Sequence, residues 1–157
     1  MAEAYRLAAL LKLRLQAREE AERTLALAQQ EQTKARKAVE AAEGDRARVQ
    51  GTIDEKKEGL YTGAGLTIAV IQGREAYIKR LFVYLEEADR EVDRTKDVLS
   101  AAADAVAAAH EGLVNARQEE EALLKHKGKW ELERKVVKQR REDDEADDLA
   151  QSMWLKK

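Results

Sequence analysis

The sequence contains no proline and no cysteine, and it has few aromatic residues. Proline interrupts a helix more severely than any other residue, at a cost of about 3 kcal/mol in a helix interior, so its absence permits long helices. Without cysteine the chain has no disulfide framework and no thiolate chemistry. Aromatic residues make up only 4% of the chain and charged residues 38%. This composition favours an elongated helical protein over a compact globular one.

Neither sign of charge dominates, since 29 Lys and Arg residues balance 31 Asp and Glu residues for a formal net charge of -2. General binding to nucleic acid is therefore disfavoured. No apolar run approaches the roughly 20 residues that span a bilayer, and the N-terminus lacks a signal-peptide core. We expect a soluble intracellular protein with no nucleic-acid partner and no stable membrane insertion.

Both halves of the sequence carry a heptad seam, in which mostly apolar residues alternate at spacings of three and four. In the second half the seam is Leu81, Leu85, Ala88, Val92, Thr95, Leu99, Ala102, Val106, Ala109, Leu113, Ala116, Glu120, Leu123, Lys127, Trp130, Arg134 and Val137. In the first half it is Ala21, Leu25, Ala28, Gln32, Ala35, Val39, Ala42, Arg46, Val49, Ile53, Lys56 and Leu60. This period predicts helices that supercoil around one another.

Four of the eight glycines, Gly59, Gly63, Gly65 and Gly73, lie between the two seams and permit a chain reversal. The predicted fold is all-α: a two-helix antiparallel coiled-coil hairpin that forms one domain over residues 1–157. We expect helix one over about 3–58, a connector over about 59–73 and helix two over about 74–152. A partner helix from a second chain is the alternative to this intramolecular hairpin.

In that hairpin, Trp130 lies opposite the start of the chain, and helix two continues beyond about Glu131 as an unpaired C-terminal extension. The connector holds an apolar run that includes Leu66, Ile68 and Val70. That run either contacts a partner or packs to close the hairpin.

No pattern in the sequence indicates catalysis, a cofactor or a metal. His110 and His126 are too far apart along a helix to share one metal ion, and no cysteine assists them. Gly63-Ala64-Gly65 lacks the Gly-Lys-Ser/Thr ending of a phosphate-binding loop. We therefore predict that the protein is not an enzyme.

Two segments have the composition of docking surfaces. Near the C-terminus a basic block, with Lys138, Arg140 and Arg141, precedes a run of acidic residues and then an apolar stripe that includes Met153 and Trp154. The alternative for the charged run is a solvated helix whose charges pair at i, i+4. The N-terminal segment combines leucines with basic residues: Leu7, Leu10, Leu11, Leu13 and Leu15 with Arg6, Lys12, Arg14 and Arg18. Such a helix suits an acidic protein socket or, as the alternative, a membrane surface.

Three stretches resemble the YscO-type stalk proteins of type III secretion, which are similar in turn to the flagellar export protein FliJ. They are the Leu- and Arg-rich start with its Ala/Glu/Gln heptads over 7–42, the aromatic opening of helix two over 77–85, and the late charged run over 140–150. The resemblance spans nearly the whole chain and favours the injectisome branch, which is associated with virulence, over the flagellar one.

This resemblance implies a cytoplasmic protein at the inner face of a bacterial inner-membrane secretion machine, monomeric in isolation. Its paired termini would insert into a hexameric secretion ATPase, and its other end would face the export-gate protein, with export chaperones as further partners. The implied ATPase interface is Leu7, Leu11, Lys12, Arg14, Lys138, Arg140, Arg141, Met153 and Trp154. The implied gate interface is Tyr77, Leu81, Tyr84 and Leu85.

Two other functions compete with the stalk. One is a generic coiled-coil scaffold, or a protein that binds export chaperones without an ATPase partner. The other is a peripheral binder of membranes or nucleic acid that uses the basic N-terminal helix, which the near-neutral charge balance disfavours.

Overall fold

The computed structural model describes residues 4–156 and contains two α-helices, α1 (Ala8–Glu58) and α2 (Ile68–Leu155). The helices pack against each other as an antiparallel hairpin, so the predicted fold class is confirmed. The chain divides into two compact units. The terminal unit comprises Met1–Arg23 and Glu111–Lys157, and the tip unit comprises Thr24–His110. In each unit a segment of α1 packs against a segment of α2.

In the tip unit the core follows the predicted seam. Ile53 is completely buried, and the other buried residues of the unit are Ala35, Val39, Ala42, Ile78, Leu81 and Val92. Arg46 and Lys56 occupy seam positions in the sequence but are exposed. Arg46 leaves the seam because its guanidinium reaches outward to the carboxylate of Asp89. Small and branched residues therefore form a narrow core one layer thick.

The structure differs from the sequence prediction at the connector, because α2 begins at Ile68 rather than near residue 74. The hydroxyl of Thr67 explains this early start, since it accepts a hydrogen bond of 3.2 Å from the backbone N–H of Val70 and so caps the helix. Gly73 is accommodated within the first turns of α2. Gly63 and Gly65 have positive φ angles of 116° and 76°, a conformation that glycine adopts without strain.

The side chain of Arg74 ties the connector to the end of α1. Its Nη1 atom lies 2.8 Å from the carbonyl oxygen of Gly59, 3.2 Å from that of Leu60 and 2.8 Å from that of Thr62. These three carbonyls belong to the connector residues that follow the end of α1 at Glu58. A guanidinium from α2 therefore stabilises the point where α1 ends.

In the terminal unit, α1 begins at Ala8 rather than near residue 3. The predicted start itself lies outside the described residues. The chain turns before α1, where the N–H of Ala8 donates to the carbonyl of Tyr5 at 3.1 Å. This turn directs Tyr5 onto α2, where the ring is buried. The chain before Ala8 therefore forms a turn that buries the Tyr5 ring, where the sequence predicted the first turn of the helix.

The seam in the terminal unit continues through Arg134, and every described residue from 135 to 156 is exposed. Leu113 is buried, whereas Val137 on the same predicted seam is 57% exposed. The C-terminal extension of α2 predicted from the sequence is therefore confirmed. It begins slightly later than expected because Trp130 packs on Tyr5 and Arg134 lies over the Trp130 ring.

Candidate docking surfaces

An aromatic cluster lies where the N-terminal turn meets α2. The Tyr5 hydroxyl is 2.6 Å from Nδ1 of His126, and the Tyr5 ring centroid is 5.2 Å from that of Trp130. The guanidinium of Arg134 lies over the Trp130 ring, 5.2 Å from its centroid. The prediction that Trp130 lies opposite the start of the chain is confirmed. His126 fixes the position of the Tyr5 side chain through its hydrogen bond with the hydroxyl.

Beyond this cluster, charged residues interrupt the apolar seam of the terminal unit. Arg18 Nε lies 2.5 Å from Oε2 of Glu120, and Arg18 also pairs with Glu22 at 2.8 Å. Arg117 approaches the same Glu22 carboxylate at 3.5 Å. We name this group the ion layer. Only Glu120 of this group lies on the seam listed from the sequence, and sequence reasoning assigned Arg18 to a docking segment.

Within the ion layer, the hydrogen bond from Arg18 lowers the pKa of Glu22, with a smaller contribution from Arg117. The same hydrogen bond raises the pKa of Arg18. Since the carboxyl pKa is lower in the folded state, Glu22 contributes stability above its unfolded-state pKa. That contribution disappears as the pH falls through the lowered value.

We therefore expect Glu22→Gln to lower the melting temperature at neutral pH and to leave it nearly unchanged in acid, where wild-type Glu22 is protonated. Thermal unfolding followed by circular dichroism across an acid titration measures the effect. Glu40→Gln is the matched control, because Glu40 is an exposed residue of α1 in the tip unit. A difference between Glu22→Gln and wild type that stays constant as the carboxyls protonate would contradict this assignment.

The N-terminal residues predicted as docking groups divide by burial. Leu7 and Leu11 are half-buried on the seam, and Arg14 pairs with Glu119 of α2. Lys12 is exposed. Leu13 is 60% exposed and adds apolar surface beside Lys12. The structure thus uses Leu7 and Leu11 for packing and leaves Lys12 and Leu13 available to a partner.

The predicted C-terminal docking residues all lie on the exposed extension of α2. Lys138 pairs along the helix with Glu142 at 3.7 Å, and Arg140 and Arg141 are exposed. Met153 is 70% exposed and Trp154 is 76% exposed. Large apolar side chains this accessible suit an interface better than a monomer surface. Basic and apolar docking chemistry is therefore presented on one helical segment.

In the tip unit, Tyr77 is 38% exposed and Tyr84 is 53% exposed. They are two helical turns apart and so lie near one face of α2. Leu81 is only 6% exposed and Leu85 is half-buried, because both belong to the seam. The guanidinium carbon of Arg80 lies 5.8 Å from the Tyr77 ring centroid. The two tyrosines, rather than the two leucines, form the accessible part of this predicted surface.

The described residues contain no group of three or more His, Cys, Asp or Glu side chains arranged to hold a metal ion. Within residues 4–156, neither helix has a stretch that is both long and apolar enough to cross a membrane. What the geometry offers is a set of exposed helical faces, which are suited to contacts with other proteins.

Comparison with known proteins agrees with this description. A solved structure from Chlamydia trachomatis, described as a candidate YscO homolog, superposes with a TM-score of 0.80 at 25% sequence identity, covering 97% of this chain and 95% of that one. No curated protein matches. The family model for YscO-like proteins matches residues 2–157. The chain therefore belongs to the YscO-like family, a family of type III secretion stalk-like proteins.

Proposed function

We propose that this protein couples a hexameric secretion ATPase to the export gate of a type III secretion system, at the cytoplasmic face of the inner membrane. Family membership supports a secretion-system component that interacts with other proteins. The observation that carries the ATPase contact is the extension of α2, whose described residues 135–156 are all exposed. A helix that continues for several turns beyond its partner segment has its side chains available for a second protein.

Along the extension, basic residues are followed by acidic ones, and this order supports binding to a charged surface of the ATPase. The basic block, Lys138, Arg140 and Arg141, is followed by the acidic residues Glu142, Asp143, Asp144, Glu145, Asp147 and Asp148. Complementary charges steer association and fix register more than they add affinity. Lys12 on α1 adds a further cation in the same unit. Basic and acidic groups would orient the extension in the ATPase.

The apolar residues of the extension supply the affinity in this proposal. Leu149, Met153 and Trp154 are between 65% and 76% exposed. Burial of apolar area contributes about 25 cal/mol per Å², and tryptophan is prominent among the residues that dominate binding energies. Leu7 and Leu11 contribute indirectly, because they hold α1 against α2 beside this segment.

The gate contact is proposed for the tyrosine face of the tip unit. Tyr77 and Tyr84 combine a rigid apolar ring with a hydroxyl, which suits an interface that is partly wet. Leu81 and Leu85 support the face from within the seam. A protein that binds one partner through the terminal unit and another through the tip unit can couple them without chemistry of its own.

The test is to truncate the chain after Arg134 and measure stimulation of the purified secretion ATPase. We expect stimulation to be lost, while binding to the cytoplasmic domain of the gate protein is retained. Tyr84→Ala is the matched variant and should show the reverse pattern, since its side chain lies in the tip unit. Full stimulation by the truncated chain would refute the proposed ATPase contact.

The alternative, a scaffold that binds export chaperones without an ATPase, makes a different prediction in the same system. Export chaperones would be captured from cells expressing the secretion system, and the ATPase would be absent from every capture. That pattern would replace the stalk proposal. Capture of the ATPase by wild type, and its loss on truncation, would support the proposal.

A further inference from the structure

We propose that the extension of α2 also pairs with the extension of a second copy of this chain, in the antiparallel direction and about a two-fold axis. This pairing goes beyond the proposed function, because it needs neither the ATPase nor the gate protein. The extension has a free surface for it, since every described residue from 135 to 156 is exposed. The order of the charges along the helix selects a second copy as the partner.

The extension carries two adjacent segments of opposite charge and equal length. In the basic segment, 135–141, all charged residues are positive: Lys135, Lys138, Arg140 and Arg141. In the acidic segment, 142–148, all charged residues are negative: Glu142, Asp143, Asp144, Glu145, Asp147 and Asp148. A parallel pair of copies would place like charges together. An antiparallel pair, with its axis between Arg141 and Glu142, places each basic segment against the acidic segment of the other copy.

Contacts within the helix leave part of this charge unused. Lys138 pairs with Glu142 at 3.7 Å. Arg140 and Arg141 each precede an acidic residue by four positions, the spacing of an ion pair along a helix. Among the described residues, however, neither guanidinium takes part in an ion pair. Both are therefore available to the acidic segment of a second chain.

A mostly apolar stripe on the same helix leads to the same alignment of the two copies. Its heptad positions are Leu132, Val136, Gln139, Asp143, Ala146, Ala150 and Met153. The stripe is separate from the seam that packs on α1, since Leu132 is 63% exposed and Val136 is 50% exposed. The axis set by the charges brings Leu132 opposite Ala150 of the second copy, and Val136 opposite Ala146, to within one residue.

Pairing in this alignment buries the stripe and covers the segment proposed for the ATPase contact. A chain paired with a second copy is therefore unable to present its extension to the ATPase. The isolated protein is then a dimer rather than the monomer that the family resemblance implies. Because attraction between opposite charges holds the copies in this direction, salt weakens the dimer.

Sedimentation equilibrium of the full chain tests the pairing. We expect a concentration-dependent dimer whose Kd rises about tenfold or more when salt is raised from about 0.05 M to about 0.5 M. A monomeric wild type at every protein concentration in low salt would overturn the proposal.

Two charge-reversal variants test whether the segments are responsible. The first combines Lys138→Glu, Arg140→Glu and Arg141→Glu, and the second combines Asp144→Lys, Glu145→Lys, Asp147→Lys and Asp148→Lys. Each variant alone should be monomeric, because both of its segments then carry the same sign, whereas an equimolar mixture should form a heterodimer. Circular dichroism would show that each variant remains helical. A dimer that persists in each variant alone would refute pairing through the extension.

Disulfide trapping tests the direction, since the chain contains no cysteine of its own. Leu132→Cys and Ala150→Cys, mixed and oxidised, should crosslink to each other and not to themselves. Val98→Cys, in the tip unit, is the control and should stay uncrosslinked. Self-crosslinking of Leu132→Cys would indicate a parallel pair and would overturn the proposal. These measurements contain no ATPase, so their failure leaves the proposed function standing, and a failure of ATPase stimulation leaves the dimer standing.

Discussion

Replacing Ile53 with alanine is expected to lower the free energy of unfolding of the tip unit by about 2 to 4 kcal/mol, the usual range when a large aliphatic core residue is truncated. Ile53 is completely buried. The core between two helices is one layer thick, so few neighbouring side chains can move to fill the space. Urea unfolding monitored by circular dichroism measures the loss.

Leu27→Ala is the matched control for this experiment. Leu27 lies on α1 in the same unit but is 62% exposed. Leucine and alanine are both good helix formers, so this change should cost less than about 0.5 kcal/mol. Equal effects of the two substitutions would show that the seam does not carry the stability of the tip unit, and the assigned helix register would be wrong.

Replacing both Met153 and Trp154 with alanine is expected to reduce the affinity for the secretion ATPase by about thirtyfold or more. The proposed interface would lose its largest apolar anchors, while the helix would lose little because both side chains are exposed. The melting temperature should therefore remain near that of wild type. Titration of ATPase stimulation against protein concentration gives the change in affinity.

Val98→Ala provides the corresponding control in the tip unit. Val98 is 60% exposed and apolar, but it belongs to neither proposed interface. It should leave ATPase stimulation unchanged. If the Met153 and Trp154 variant also stimulates like wild type, the apolar end of α2 is not the anchor, and the basic residues Lys138, Arg140 and Arg141 would have to supply the affinity alone.

Much of the fold was predictable because the seam repeats over many turns. A single misplaced residue, such as exposed Arg46, does not disrupt a pattern that includes Ala35, Val39 and Ala42 on one side and Leu81 and Val92 on the other. The extension of α2 followed from the same pattern, because the connector fixes which residues of the two helices face each other. Periodicity thus predicted both the pairing and its approximate limit.

The details that the pattern missed depend on individual side chains. The hydroxyl of Thr67 and the guanidinium of Arg74 satisfy backbone groups near the connector, which let α2 start before Gly73. Tyr5 turned the chain away from helix because its ring is buried on α2. Neither effect has a periodic signature, so both required the three-dimensional arrangement.

The proposed interfaces were harder to predict than the fold for a related reason. In the sequence, an apolar residue that packs on the other helix cannot be told from an exposed one that binds another protein. Leu81 proved buried and Tyr84 exposed, although both lie in the aromatic opening of α2. Arg14 was predicted as a docking residue, yet its guanidinium pairs with Glu119. Side-chain burial and ion pairing in the structure distinguish residues that hold the two helices together from residues that are free to bind a partner protein.

Site-specific photo-crosslinking in cells that assemble the secretion system would test the coupling function most directly. A photoreactive residue would replace Trp154 in one strain, Tyr84 in a second and Val98 in a third. We predict that position 154 crosslinks to the ATPase, that position 84 crosslinks to the gate protein, and that position 98 crosslinks to neither. Crosslinking of positions 154 and 84 to the same partner, or of neither position to the ATPase or gate, would contradict the proposed function.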